Sequence, residues 1–266
     1  GRLNKVDFTL RKGEIHALMG AASAGKSTLI KVLTGVHEKD GGSIWVEGVD
    51  GEAHIHSPQD AQNIGIATVY QEITLCPNLT VAENMFIGRT EGQTVHWKDY
   101  EKRATEILKN LGIPARAKQE LGSCSLAVQQ MVAIAPAVDM KCKVLILDEP
   151  TSSLDDNEVQ LLFDVMRDLK SDGMGIIFIT HFLDQVFAIS DRLTILRNGH
   201  LVGSYDIGDI TKVELVTQMV GKDMDTIFNL KRASVPEDAP NMLDASDIGA
   251  PGLIEDISVT VKKGEL

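Results

Sequence analysis

The residues Gly20-Ala21-Ala22-Ser23-Ala24-Gly25-Lys26-Ser27 fit the pattern G-x-x-x-x-G-K-S. They follow the apolar run Ile15-His16-Ala17-Leu18-Met19 and open a stretch of helical character over residues 27–33. Strand, tight loop and helix start are the context this pattern requires. Backbone N–H groups of such a loop and of the first helical turn surround an anion. Lys26 adds a full positive charge for β- and γ-phosphates, and the Ser27 hydroxyl is a candidate ligand for Mg²⁺. Few other local sequences constrain a fold as strongly, because this one fixes a strand, a loop and a helix at once.

Val144-Leu145-Ile146-Leu147-Asp148-Glu149 places four apolar residues before two acids. A strand there carries Asp148 to its C-terminal end, where ligands bind in open α/β sheets. Asp148 is then the candidate metal holder. Glu149 faces the γ-phosphate and is placed to polarise an attacking water. Val159, Leu162, Phe163, Met166 and Leu169 form one apolar helix face, with Asp155, Asp156 and Glu158 at its start, where the helix dipole favours anions. Residues 175–180 read as another buried strand. Strands alternating with helices predict parallel pairing and an α/β sheet. Residues from about 80 to 140 lack such strands and predict a helical insertion.

The 266 residues are 43% hydrophobic, enough for a packed core, and carry a net charge of −12. That balance argues against a general nucleic-acid binder, which needs cations to displace counterions from phosphates. It does not oppose binding a single nucleotide. Cys76, Cys124 and Cys142 are odd in number and widely spaced, with no disulfide framework or metal-site spacing, which points to a reducing compartment. Residues 121–138 carry no charge over about the length of a minimal membrane span. Ser123, Ser125, Gln129, Gln130 and Pro136 make them too polar for hydrocarbon.

Taken in order, these elements resemble the Walker A and Walker B motifs of an ABC-type ATPase. Gln71, in Val69-Tyr70-Gln71-Glu72, matches that family's Q-loop glutamine. Ser125, in Cys124-Ser125-Leu126-Ala127-Val128-Gln129-Gln130, sits where its signature motif belongs. Ser153-Leu154-Asp155 matches the D-loop and His181 the switch histidine. The resemblance covers residues 3–221. It implies an α/β fold: a P-loop NTPase ABC cassette with a RecA-like core sheet, an antiparallel β part and a helical subdomain. It implies an ATP hydrolase using ATP and Mg²⁺. The nucleotide falls to Gly20, Ala21, Ala22, Ser23, Ala24, Gly25, Lys26, Ser27 and Thr28, and the metal to Ser27, Gln71 and Asp148. Glu149 becomes the general base, with His181 at the γ-phosphate and Gln71 coupling nucleotide state to a membrane partner. Ser125 and Asp155 join the nucleotide site, Ser125 acting on ATP held by a second cassette.

Longer strings, among them Leu79-Thr80-Val81-Ala82-Glu83-Asn84-Met85-Phe86 and Thr180-His181-Phe182-Leu183-Asp184-Gln185, are similar to ATP-binding subunits of bacterial monosaccharide importers of the ribose, galactose or xylose type. The resemblance implies transmembrane permease subunits and a periplasmic or extracellular sugar-binding protein as partners. It implies a peripheral place on the cytoplasmic face of the cell membrane, and no nucleic acid. One alternative is an importer ATPase for another solute, such as a nucleoside. Another is a soluble tandem ATPase acting on ribosomes or DNA, disfavoured by a short linker and the acidic charge. A third is a degenerate, binding-only cassette.

In that group one polypeptide carries two cassettes. Here the head and tail of the chain match at a fixed offset: Gly1/Gly252, Thr9/Thr260, Lys12/Lys263, Gly13/Gly264 and Glu14/Glu265, with Val6, Phe8, Leu10 and Ile15 recurring as Ile257, Val259, Val261 and Leu266. Each copy reads as strand, turn and strand. The expected organisation is a cassette over 1–221 without its front edge, a linker over 222–251, and over 252–266 the truncated start of a second cassette. Several positions depart from the family pattern, among them Ala21-Ala22-Ser23 in the phosphate loop and Cys124 and Ala127 in the signature, and three of them bear on activity. Ser23 costs of order 1 kcal/mol if the loop needs a positive φ there. Val128 replaces the usual glutamine of the signature. Pro136 falls inside a predicted helix, at a cost of about 3 kcal/mol.

Overall fold

The computed structural model describes residues 3–70, 75–87, 96–221, 239–250 and 254–263. The chain divides into two units, Gly1–Gly221 and Lys222–Leu266. In the first, the order is β1 (Ile15–Met19), α1 (Lys26–Leu33), α2 (Pro58–Asn63), β2 (Ile66–Val69), α3 (Val81–Phe86), α4 (Trp97–Asn110), α5 (Leu126–Asp139), β3 (Val144–Asp148), α6 (Asp156–Ser171), β4 (Gly175–Ile179), α7 (Leu183–Ile189), β5 (Arg192–Arg197), β6 (His200–Asp206) and α8 (Lys212–Val220). The second holds β7 (Asn241–Ala250) and β8 (Ile254–Lys262).

The six-stranded sheet runs β2-β3-β4-β1-β5-β6. All neighbours are parallel except β5 and β6, which pair antiparallel. β1 and β4 are buried along their whole length, as expected of parallel strands covered on both faces. Ile15, Leu145, Leu147, Ile176 and Phe178 join the largest apolar cluster, with α3, α4, α5 and α6. Leu18, Ile146, Ile177 and Ile179 join a second with α1. The α6 face expected from the sequence is the buried one: Val159, Leu162, Phe163, Met166 and Leu169 are all buried. Each such side chain contributes roughly 1.5–3 kcal/mol by leaving water.

The strand–helix alternation and the helical insertion are found as expected. The ends of the chain differ from expectation. Residues 3–12 form no ladder strand, although Leu3, Val6, Phe8 and Leu10 pack on the second cluster. The segment from Ile44 to Ala53 folds back on itself, Ala53 N–H donating to the Ile44 carbonyl at 2.7 Å, also without strand pairing. Antiparallel pairing occurs instead at β5–β6 and β7–β8. β7 occupies the end of the expected linker: Asn, Asp and Pro near residue 240 mask the strand that runs through Met242 and Leu243 to Ala250. β8 pairs back onto β7, and the second strand expected of the tail repeat lies outside the described residues.

α5 runs unbroken through Pro136 to Asp139. Met140 N–H reaches the Pro136 carbonyl at 3.0 Å, but the proline leaves the Val132 carbonyl without its intrahelical donor. The helix end is held by Arg103 of α4, which donates to Asp139 at 2.8 and 2.9 Å and lies 5.0 Å from the Phe86 ring centre. Tertiary packing therefore carries the proline. Pro136→Ala is expected to raise the unfolding free energy by about 2 kcal/mol, the interior-proline cost of about 3 less about 1 from the freer unfolded chain. Urea unfolding with an unchanged m-value checks this.

Candidate functional site

The C-terminal ends of β1, β3 and β4 open on one edge of the sheet, and their loops carry the candidate residues. After β1 the chain turns at Gly20, where a Cβ would lie 2.5 Å from the Leu196 carbonyl oxygen and 2.7 Å from Ala24 Cβ. Ser23 adopts φ 64°, so the loop does place a left-handed conformation at that position and Ser23 carries its cost. Gly25, at φ 110°, caps α1, and a Cβ there would meet Leu3 at 2.8 Å. The loop is braced from behind by the β5–β6 turn: Gly199 N–H donates to the Ala24 carbonyl at 2.9 Å. Asn198 and Gly199 both have positive φ, the signature of a two-residue hairpin turn. The Asn-Gly pair is the local sequence signal for this brace.

Residues 23–28 line a small concavity. Lys26 Nζ donates to the Gly20 carbonyl at 2.6 Å and to that of Ala21 at 3.1 Å, so its charge is folded over the loop. The N–H groups of the first turn of α1 have no acceptor within the helix and are available to an anion. Burial pushes the Lys26 pKa down, while Glu149 and Asp148 pull it up. Asp148 is pushed above its ordinary value by burial first, then by Glu149, with Lys26 opposing.

Glu149 sits at φ 51°, a strained position for a residue with a side chain. Its N–H donates to the Ile179 carbonyl at 2.9 Å, joining the end of β3 to the end of β4. His181 follows β4, and its Nδ1 donates to Glu149 Oε2 at 2.7 Å. That bond fixes the ring and leaves Nε2 as the nitrogen available to a ligand. The loop beyond Glu149 is anchored by buried Thr151, whose hydroxyl donates to Gln185 Oε1 at 2.6 Å. Neither residue carried a sequence signal.

Lys26, Asp148, Glu149 and His181 are thus linked by charge or hydrogen bond, with Ser27 and Thr28 in the helix turn beside Lys26. Ser125 and Asp155 make none of their hydrogen bonds to this group. Ser125 is the exposed N-cap of α5, its hydroxyl accepting from Val128 N–H at 3.4 Å. Asp155 caps α6, accepting from Glu158 N–H at 2.8 Å, while Glu158 accepts from Asp155 N–H at 3.2 Å. Val128 is buried, so its side chain serves the helical core. Gln71 lies outside the described residues.

Residues 3–152 match the ABC transporter family model, and the chain belongs to that family. It is 47% identical over 271 positions to the Galactofuranose transporter ATP-binding protein YtfR of Escherichia coli K12, covering 99% of this chain and 53% of that protein. It is 44% identical to the Fructose import ATP-binding protein FruK of Bifidobacterium longum, covering 99% and 52%. It is 40% identical to the Ribose import ATP-binding protein RbsA of Geobacillus kaustophilus, covering 99% and 53%. The chain spans about half the length of these curated relatives. The fold is that of the ATP-binding cassettes. The ADP conformation of MJ1267, an ATP-binding cassette of an ABC transporter, aligns with a TM-score of 0.70 at 23% identity, covering 85% of this chain and 91% of that one. cbiO1 from Clostridium perfringens aligns at 0.69 and 24%, covering 85% and 90%.

Gly20→Ala is expected to lower the melting temperature and abolish nucleotide binding, because backbone carbonyl and loop must both move to admit the methyl group. Thermal unfolding with and without ATP checks both. Asp148→Asn is expected to raise the melting temperature of the nucleotide-free protein at pH 7. A carboxylate whose folded pKa lies above 3.8 contributes stability below that pH and loses it as pH climbs through the folded value. The advantage of the amide therefore vanishes at acid pH, which melting curves across pH 3–7 test.

Proposed function

We propose that this chain binds and hydrolyses ATP and that hydrolysis energises import of a small sugar through a membrane permease. The contact between Glu149 and His181, at the strand ends beside the phosphate loop, is the observation that carries the hydrolytic reading. The loop N–H groups and Lys26 hold the phosphates, Lys26 exchanging its bonds to Gly20 and Ala21 for phosphate oxygens. Ser27 and Asp148 offer the hard oxygen donors that suit Mg²⁺, and the excess of carboxylate at Asp148 and Glu149 fits a cation there. A Mg²⁺ held by Ser27 and Asp148 would supply positive charge to offset that of the phosphates. Gln71 is assigned beside it. Glu149 orients the attacking water and takes up its proton, and His181 holds Glu149 in place while offering Nε2 to the γ-phosphate.

The head-to-tail repeat and the length of the relatives support a second cassette in the same polypeptide, with residues 1–221 as the first, β7–β8 opening the second, and the linker between them. Exposed Ser125, with Asp155, is assigned to the ATP of that second cassette. The relatives' names, for galactofuranose, fructose and ribose, support a sugar as cargo, delivered by a periplasmic or extracellular binding protein. No helix among the described residues is long and apolar enough to cross a membrane. The relatives' names, as ATP-binding proteins of transport and import systems, support assigning the membrane path to separate permease subunits, with this chain peripheral on their cytoplasmic side.

In the full-length protein reconstituted with its permease, Glu149→Gln is expected to cut ATP turnover by about 10²-fold or more while ATP binding persists. Unchanged turnover overturns the role given to Glu149.

A further inference from the structure

The described surface carries a second concavity, of about 850 Å³, between α4 and the loop that follows it. Lys98, Lys102 and Lys109 line one wall and Arg116 and Lys118 the other, against a single carboxylate, Glu101. All five cations are exposed. Lys118 pairs with Glu101 at 3.1 Å, and no ion pair is found for the other four among the described residues. Buried Leu108, Ile113 and Ala117 form the floor. In a chain of net charge −12, this is a local reversal of sign.

The row on α4 has the spacing of one helix face, since Lys98, Lys102 and Lys109 stand four and then seven residues apart. At 1.5 Å per residue it spans about 16 Å. A single phosphate or carboxylate cannot meet the whole row. An extended polypeptide, at about 3.3 Å per residue, covers it with about five residues. A flat bilayer touches the rims of a groove but does not reach its floor. A long nucleic acid is repelled by the negative charge of the rest of the chain.

We propose that this groove docks an extended, acidic segment of a partner polypeptide, with carboxylates along the lysine row and apolar side chains toward Leu108 and Ile113. The site lies on the helical part and uses none of the residues assigned to ATP. The reading therefore stands or falls apart from the proposed activity.

The probe is a fluorescently labelled hexapeptide of alternating glutamate and leucine, titrated into the whole chain and followed by anisotropy. Saturable binding is expected, weakened at least tenfold by the double variant K102E/K109E and by raising salt from 50 to 500 mM. Lys31→Glu, an exposed cation outside the groove, is expected to leave it unchanged. The substituted side chains are exposed, and an unaltered melting curve confirms that the variants fold. Equal binding by wild type and double variant overturns the proposal, as does no binding by either. Loss in K102E/K109E of binding to anionic phospholipid vesicles or single-stranded DNA, with no peptide binding by wild type, overturns it in favour of that partner.

Discussion

The architecture depends on the close approach of Gly20 to the backbone of β5. β1 is hydrogen-bonded on both sides, by β4 and β5, and covered on both faces, so the chain leaving it has one narrow exit. With the Leu196 carbonyl 2.5 Å from where a Cβ would stand, only glycine makes that exit. The turn after β5 then closes behind the loop through Gly199, which also accepts from Asn4 N–H at 2.8 Å. The loop's shape is thus set by packing against fixed backbone. A preformed ring of N–H groups spends little of its binding energy on ordering itself.

That rigidity holds a destabilising charge arrangement. Asp148 and Glu149 are adjacent and partly buried at one strand end, and Lys26, the nearby cation, is itself desolvated and turned onto carbonyl oxygens. Glu149 adds a left-handed backbone conformation, and Ser23 another. Such costs persist only where the surroundings over-determine the geometry. Here the Glu149–Ile179 and Thr151–Gln185 bonds do so, tying the strained loop to β4 and α7.

Much of this was legible in the chain because the relevant signals are local. The phosphate loop, the apolar run into Asp148, the α6 stripe and the positive φ at Ser23 each depend on residues within one or two turns. Longer-range features were not legible. Nothing in the sequence says that Leu196 stands behind Gly20, or that Arg103 clamps Asp139 and so lets α5 carry Pro136. β7 was missed because its polar residues imitate a linker, and pairing with β8 decides the matter. Asp155 shows how one residue serves two readings: its capping-box geometry with Glu158 is sufficient reason for an acid there, whatever it does for a nucleotide.

His16 is the polar residue in the otherwise apolar β1, and it links the far end of that strand to the site. It is fully buried, with Nδ1 donating to Glu14 at 2.9 Å and Nε2 2.7 Å from Thr194 Oγ1, which in turn meets Ser204 Oγ at 2.7 Å. Arg192 donates to the same Glu14 oxygen at 3.1 Å. The cluster therefore bonds β1 to β5 and β6 by side chains as well as by the ladder. Slipping β1 by one residue would turn His16 to the face that Ile15, Ala17 and Met19 now occupy, and strip partners from Glu14 and Thr194. Each buried group so orphaned costs about 1–3 kcal/mol. Apolar residues alone give no such penalty, because Ile, Ala, Leu and Met tolerate either face of a sheet covered on both sides. The register that puts Gly20 against Leu196 is thus specified at the other end of the strand, by a histidine four residues away.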